Sequence, residues 1–131
     1  MSQENVDTVR RAWEAFENHE NEAIFPLYDA DVEIQGLHGL GDRVYRGVAG
    51  VREFWHDWSA SWSEAGSEVE EWIDAGDDVI AVMHLWGRGK RSGVRVEARQ
   101  SHVWTVRGGK MWRLRVYDTK DEALKAVGLA E

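Results

Sequence analysis

The sequence predicts an α+β domain in which helices cover one face of a bent antiparallel sheet. Three observations predict it. Apolar residues recur at helical spacing in the first half of the chain, at Val6, Val9, Ala12, Trp13 and Phe16, and again at Val51, Phe54, Trp55, Trp58 and Trp62. From Gly66 onward the period drops to two. Glycine-bearing turns at Gly76-Asp77-Asp78, Gly89 to Gly93 and Gly108-Gly109 then cut the second half into a meander.

Each element follows in order. Ser2 is a candidate cap for the first helix, with Glu4 and Asp7 as acidic support. The polar run Glu17-Asn18-His19-Glu20-Asn21 stops that helix. A second short helix, Glu22 to Leu27, brings Ala23, Ile24 and Leu27 to one side, although Pro26 fits a helix only near its start. A strand is expected over Val32 to Leu37, then a loop through Gly36, Gly39 and Gly41. Tyr45-Arg46-Gly47-Val48 leads into the third helix. The expected meander strands are Glu68–Asp74, Val79–Gly87, Val94–Val106 and Lys110–Asp118. A last helix is expected from Asp121 to Leu129. The chain reads as one domain over 1–131.

Parity assigns the faces. Val94, Val96, Ala98, Gln100, His102, Trp104 and Val106 share one face of the long strand and are expected inside. Arg95, Arg99, Val103 and Thr105 fall outside. Trp112, Leu114, Val116 and Asp118 are expected inside, opposite Met111, Arg113, Arg115 and Tyr117. Trp86, Met111 and Tyr117 then form an outward apolar patch, which predicts a homodimer through that face.

Composition narrows the function. The formal net charge is −8 over 131 residues, which disfavours duplex nucleic acid and anionic membranes as partners. The chain has no cysteine, which excludes thiolate chemistry and disulfides. No secretory signal or spanning segment is legible, so a soluble, cytoplasmic protein is expected. The five histidines lack metal-ligand spacing, and neither a metal nor a cofactor is expected. Gly87 to Arg91 is basic and Gly-rich without a phosphate-loop pattern and reads as a solvated turn. Eight tryptophans suit a core or the wall of a ligand cavity.

Three stretches carry a resemblance: NVDTVRRAWEAFENHENEAIFPLYDADVEI, YRGVAGVREFWHDW and HVWTVRGGKMWRLRVYD. In this order and at these separations they resemble the SnoaL-like domains of the NTF2-like superfamily. The resemblance implies a cone: a curved antiparallel sheet wrapped around N-terminal helices, with an internal pocket and frequently a dimer through the outer sheet face. It does not fix a reaction, since the superfamily holds isomerases, cyclases, dehydratases, hydrolases and non-enzymatic binders. The positions used by ketosteroid isomerase correspond to Ala12, Gly36 and His102, so two of its three groups are missing. Those used by limonene-epoxide hydrolase correspond to Met83, Leu85 and Val116, and that machinery is absent.

What remains inside is His102, Asp118 and Tyr28. The aspartate of SnoaL-like cyclases falls at or beside Asp118. Two readings stay open. In one, the chain performs cofactor-free acid–base chemistry on an apolar, ring-containing substrate. His102 is then the acid or base, Asp118 its partner and Tyr28 a donor, with Phe16, Trp55, Trp58, Met83, Leu85, Trp104 and Leu114 as the apolar wall. In the other, the same pocket only binds a small hydrophobic ligand, or the sheet serves association alone, and His102 is a satisfied interior histidine bonded to Tyr28 or water. Counting outward from Gly108-Gly109 staggers His102 and Asp118 by about 10 Å, which favours a shared ligand over a direct bond.

Overall fold

A computed structural model describes residues 2–18, 20–35 and 43–129. The helices are α1 (Ser2–Glu17), α2 (Asn21–Ile24), α3 (Gly47–Ser61) and α4 (Lys120–Ala126). The strands are β1 (Tyr28–Gln35), β2 (Val44–Arg46), β3 (Trp62–Ala75), β4 (Asp78–Gly89), β5 (Arg95–Arg107) and β6 (Lys110–Tyr117). They form one curved, unclosed sheet in the order β2-β1-β6-β5-β4-β3. All neighbours run antiparallel except β1 and β6, which are parallel. That exception follows from the chain path: β1 enters the sheet beside a strand that arrives only at the end of the meander. The expected α+β cone is therefore present. The expected residues His19, Gly36, Leu37, His38, Gly39 and Gly41 lie outside the described residues.

Proline resolves the second helix. α2 ends at Ile24, and Phe25–Leu27 continues as a 3₁₀ turn with Pro26 in its first positions, where the missing N–H costs no helical bond. Tyr28 is already in the sheet. The third helix stops one residue earlier than its apolar stripe suggests, and Trp62 opens β3.

The main core lies between α1, α3 and the concave face. Val6, Val9 and Ala12 of α1 and Val51 and Phe54 of α3 meet Val79, Trp104, Val106, Met111 and Leu114. One row crosses five strands: Val79, Trp104, Leu114, Ile34 and Tyr45 are successive partners. The row beside it runs Trp72, Ala81, His102 and Val116. The β5–β6 hairpin closes through Gly108 and Gly109, both at positive φ (57° and 76°), where glycine carries no Cβ penalty. Trp104 is buried and Arg95 and Arg99 are exposed, as parity predicts.

Three face assignments fail, each for a local reason. A bulge between Thr105 and Val106 shifts the β5–β6 register, pairing Val106 with Met111. Met111 therefore turns inward and is 2% exposed. Trp112 lies between the Arg107 and Arg113 guanidiniums, 4.3 and 4.4 Å from its ring. At the other end of β5, Val94 and Val96 are 58% and 45% exposed, because the strand runs beyond the helices that cover its middle. On the convex face, α4 covers what parity left outside. Ala123 packs with Ile80 and Val103 in a second core, flanked by Ile73, Val82, Tyr117, Leu124 and Val127. The expected outward patch is thus dismantled: Met111 is inside and Tyr117 lies beside α4.

α4 begins three positions before its first apolar residue, Ala123, because of its cap. Thr119 Oγ1 accepts from the Glu122 backbone N–H at 3.2 Å and donates to the Glu122 carboxylate at 3.1 Å, a variant of the Thr-x-x-Glu capping box. Thr119→Ala should cost about 1 kcal/mol in urea melts. An unchanged midpoint would show that the cap contributes nothing.

Candidate functional site

His102 sits at the centre of the concave face. Its backbone lies between Ala81 of β4 and Val116 of β6, and the residue is 7% exposed. Gln100, two residues earlier on the same face, is also buried. Two residues along a strand span about 6.6 Å, a gap that a long amide side chain bridges. The His102 Nε2 and Gln100 Oε1 lie 3.2 Å apart in a hydrogen bond. With the carbonyl oxygen as acceptor, Nε2 carries the proton and Nδ1 keeps its lone pair. Burial pushes the imidazole pKa down from 6.5 to about 4, so the ring is neutral at physiological pH.

Tyr28 opens β1 opposite Met111, and its ring centroid is 5.9 Å from that of Trp104. Burial raises the phenol pKa well above its ordinary range, so the hydroxyl stays protonated and neutral at physiological pH. Trp104 belongs to the row between Tyr28 and His102, and the bond of His102 is to Gln100 rather than to Tyr28. Asp118 departs from expectation. β6 ends at Tyr117, and Asp118 is an exposed residue of the bend before α4. Because the bulge puts His102 opposite Val116, Asp118 lies only two residues past that pairing, about 6.6 Å along the strand. The expected stagger of 10 Å is too long, and the expected inward parity ends with the strand.

The apolar wall divides into layers. Met83, Trp104 and Leu114 are buried, and Leu85 is half-buried. Trp55 and Trp58 project from α3. Trp55 lies 5.2 Å from Phe25 and 6.3 Å from Phe16. Trp58 stacks on Phe54 at 6.5 Å and meets Trp62 at 5.5 Å. Phe16 is 38% exposed, against the buried position expected of a wall residue. Sequence reasoning assigned no site role to Gln100, although Gln-x-His on one strand face was a usable signal. It also missed the Trp62 indole, whose Nε1–H is buried without an acceptor. An unmet buried donor costs about 1–3 kcal/mol.

Among the described residues, no three His, Asp or Glu side chains converge on a metal position, and no helix is long and apolar enough to cross a membrane. Among the described residues the buried polar side chains are Thr8, Gln100, Ser101 and His102. No carboxylate stands among them.

Helices on the concave face of a six-stranded sheet, with a polar pair at its centre, define an NTF2-like fold. The model of the SnoaL-like domain matches residues 9–114, and the chain belongs to that family. Its fold is that of an NTF2-like protein from Burkholderia xenovorans (24% identity, 89% of this chain and 90% of that one, TM-score 0.75). It is also that of TerC co-crystallised with polyporic acid (21%, 95% and 98%, 0.77). A Mycobacterium tuberculosis protein in complex with estradiol-17β-hemisuccinate is similar too (20%, 87% and 92%, 0.70). No curated protein matches the chain.

Proposed function

We propose that this protein binds an apolar, ring-containing small molecule against the concave face, with the His102–Gln100 pair as its polar contact. The carrying observation is the desolvated, neutral His102, hydrogen-bonded by Gln100 and set among Trp104, Met83 and Leu114. Nδ1 accepts a hydrogen bond from a ligand hydroxyl. The ligands in the TerC and M. tuberculosis complexes support the ligand class.

The same observation ranks recognition above proton abstraction. A general base works best with a pKa near the working pH, and an imidazole at about 4 is a weak base at pH 7. The buried carboxylate that would raise it is missing among the described residues. In the catalytic reading, His102 is the base, Tyr28 a neutral donor and Asp118 a group at the rim. That reading requires the substrate itself to bring a negative charge to the imidazole.

Titration with polyporic acid and with estradiol-17β-hemisuccinate, read by tryptophan fluorescence, tests the proposal. One or both should bind saturably. His102→Ala should weaken binding by roughly three- to tenfold, the worth of one net hydrogen bond. Wild-type affinity in His102→Ala, with only the melting temperature changed, would make His102 a structural histidine and end the proposal.

A further inference from the structure

A second site of different chemistry lies between α1 and the free edge of β3. Arg10, Trp13, Glu14 and Glu17 follow one another at helical spacing and form a single stripe on α1. Ser67, Val69 and Trp72 of β3 and, from the other face of that edge strand, Glu68 line the same cleft, which Trp86 of β4 completes at about 460 Å³. Trp86 reaches it across β3 because its strand partner is Gly66. A Cβ at Gly66 would lie 2.5 Å from the indole, so the ring can lie flat there only over glycine.

The cleft therefore has three half-buried indoles and three exposed carboxylates. Arg10, the one lining cation among the described residues, is set over the Trp72 ring at 5.6 Å, so the fold already satisfies one of these aromatic faces with positive charge. Glu14 and Glu17 have no ion-pair partner among the described residues. Arg99, the cation near Glu68, is bonded to Glu70 at 3.0 Å. We infer that this cleft binds a compact alkylated ammonium ion, with Trp13 and Trp86 as its π faces and Glu14, Glu17 and Glu68 as its countercharge. A quaternary ammonium donates no hydrogen bond, so its recognition needs indole faces and diffuse negative charge rather than aimed acceptors. A phosphate or carboxylate ligand would meet three like charges against one guanidinium. A neutral ring would gain nothing from the carboxylates.

Choline chloride is the probe, followed by the indole N–H signals in ¹H–¹⁵N spectra. Its neutral isostere 3,3-dimethylbutan-1-ol and matched sodium chloride are the comparisons. Choline should shift the Trp13 and Trp86 signals saturably, and the alcohol should bind at least about fivefold more weakly. Trp86→Leu should weaken choline binding by roughly fivefold. Gly66→Ala, which displaces the indole without removing it, and Glu14→Gln with Glu17→Gln should each weaken it in the same direction. His102→Ala should leave it unchanged, which separates this site from the concave face. Equal binding of the alcohol, equal shifts with sodium chloride, absence of saturation, or loss of choline binding in His102→Ala would each overturn the inference.

Discussion

Lowering the pH from 6.5 to 4 should cost the wild-type chain on the order of 3 kcal/mol more unfolding free energy than it costs a His102→Gln variant. In the unfolded chain the imidazole titrates near 6.5, and in the folded chain burial holds it at about 4. Between those values the unfolded state binds a proton that the folded state refuses, so stability rises with pH through this window. The contribution is complete above 6.5, falls away as the pH drops, and levels off below 4. Each pKa unit is worth about 1.4 kcal/mol. Asp29 and Glu22, held low by hydrogen bonds to Arg107 and Arg52, lose their pairing in both proteins and cancel in the comparison. Urea melts at several pH values measure the difference. Parallel curves would show that His102 charges freely inside the fold, and the neutral, desolvated imidazole on which the ligand proposal rests would fall with them.

The sequence made the cone legible because its two hydrophobic periods are separated along the chain. Helical stripes come first and alternation follows, with glycine turns between strands. His102 was legible for the same reason: it interrupts an apolar face of a long strand, and a buried polar residue is informative where a buried valine is not. Alternation failed wherever something outside the strand decides the face. The bulge at Thr105/Val106 exchanges Met111 and Trp112, and nothing in KMW marks it, since either residue can sit inside or out. Asp118 has the right parity, but parity means nothing once the strand has ended, and the Thr119 cap ends it there. The convex face was misread because amphipathic alternation assumes one buried side. Val103 breaks the polar face of β5, and that single apolar residue was the available sign that an element packs there.

Val103 therefore separates the two views of the convex face. It is fully buried, against Ile80 and Ala123; Ser101 on the same side of β5 is buried as well, and exposure begins at Arg99. Val103→Asp should cost about 3–5 kcal/mol, because the carboxylate would be desolvated without a partner or would have to take up a proton. That is a large share of the roughly 5–15 kcal/mol of a whole domain. Arg99→Ala, four residues away on the same face, should cost under about 1 kcal/mol, since its ion pair with Glu70 is exposed. The contrast carries the argument. If α4 seals this part of the sheet, the two substitutions differ severalfold in chemical denaturation and Val103→Asp exposes α4 to proteolysis. If the convex face were open for docking, as alternation alone suggests, an aspartate there would be solvated and both variants would melt near the wild type.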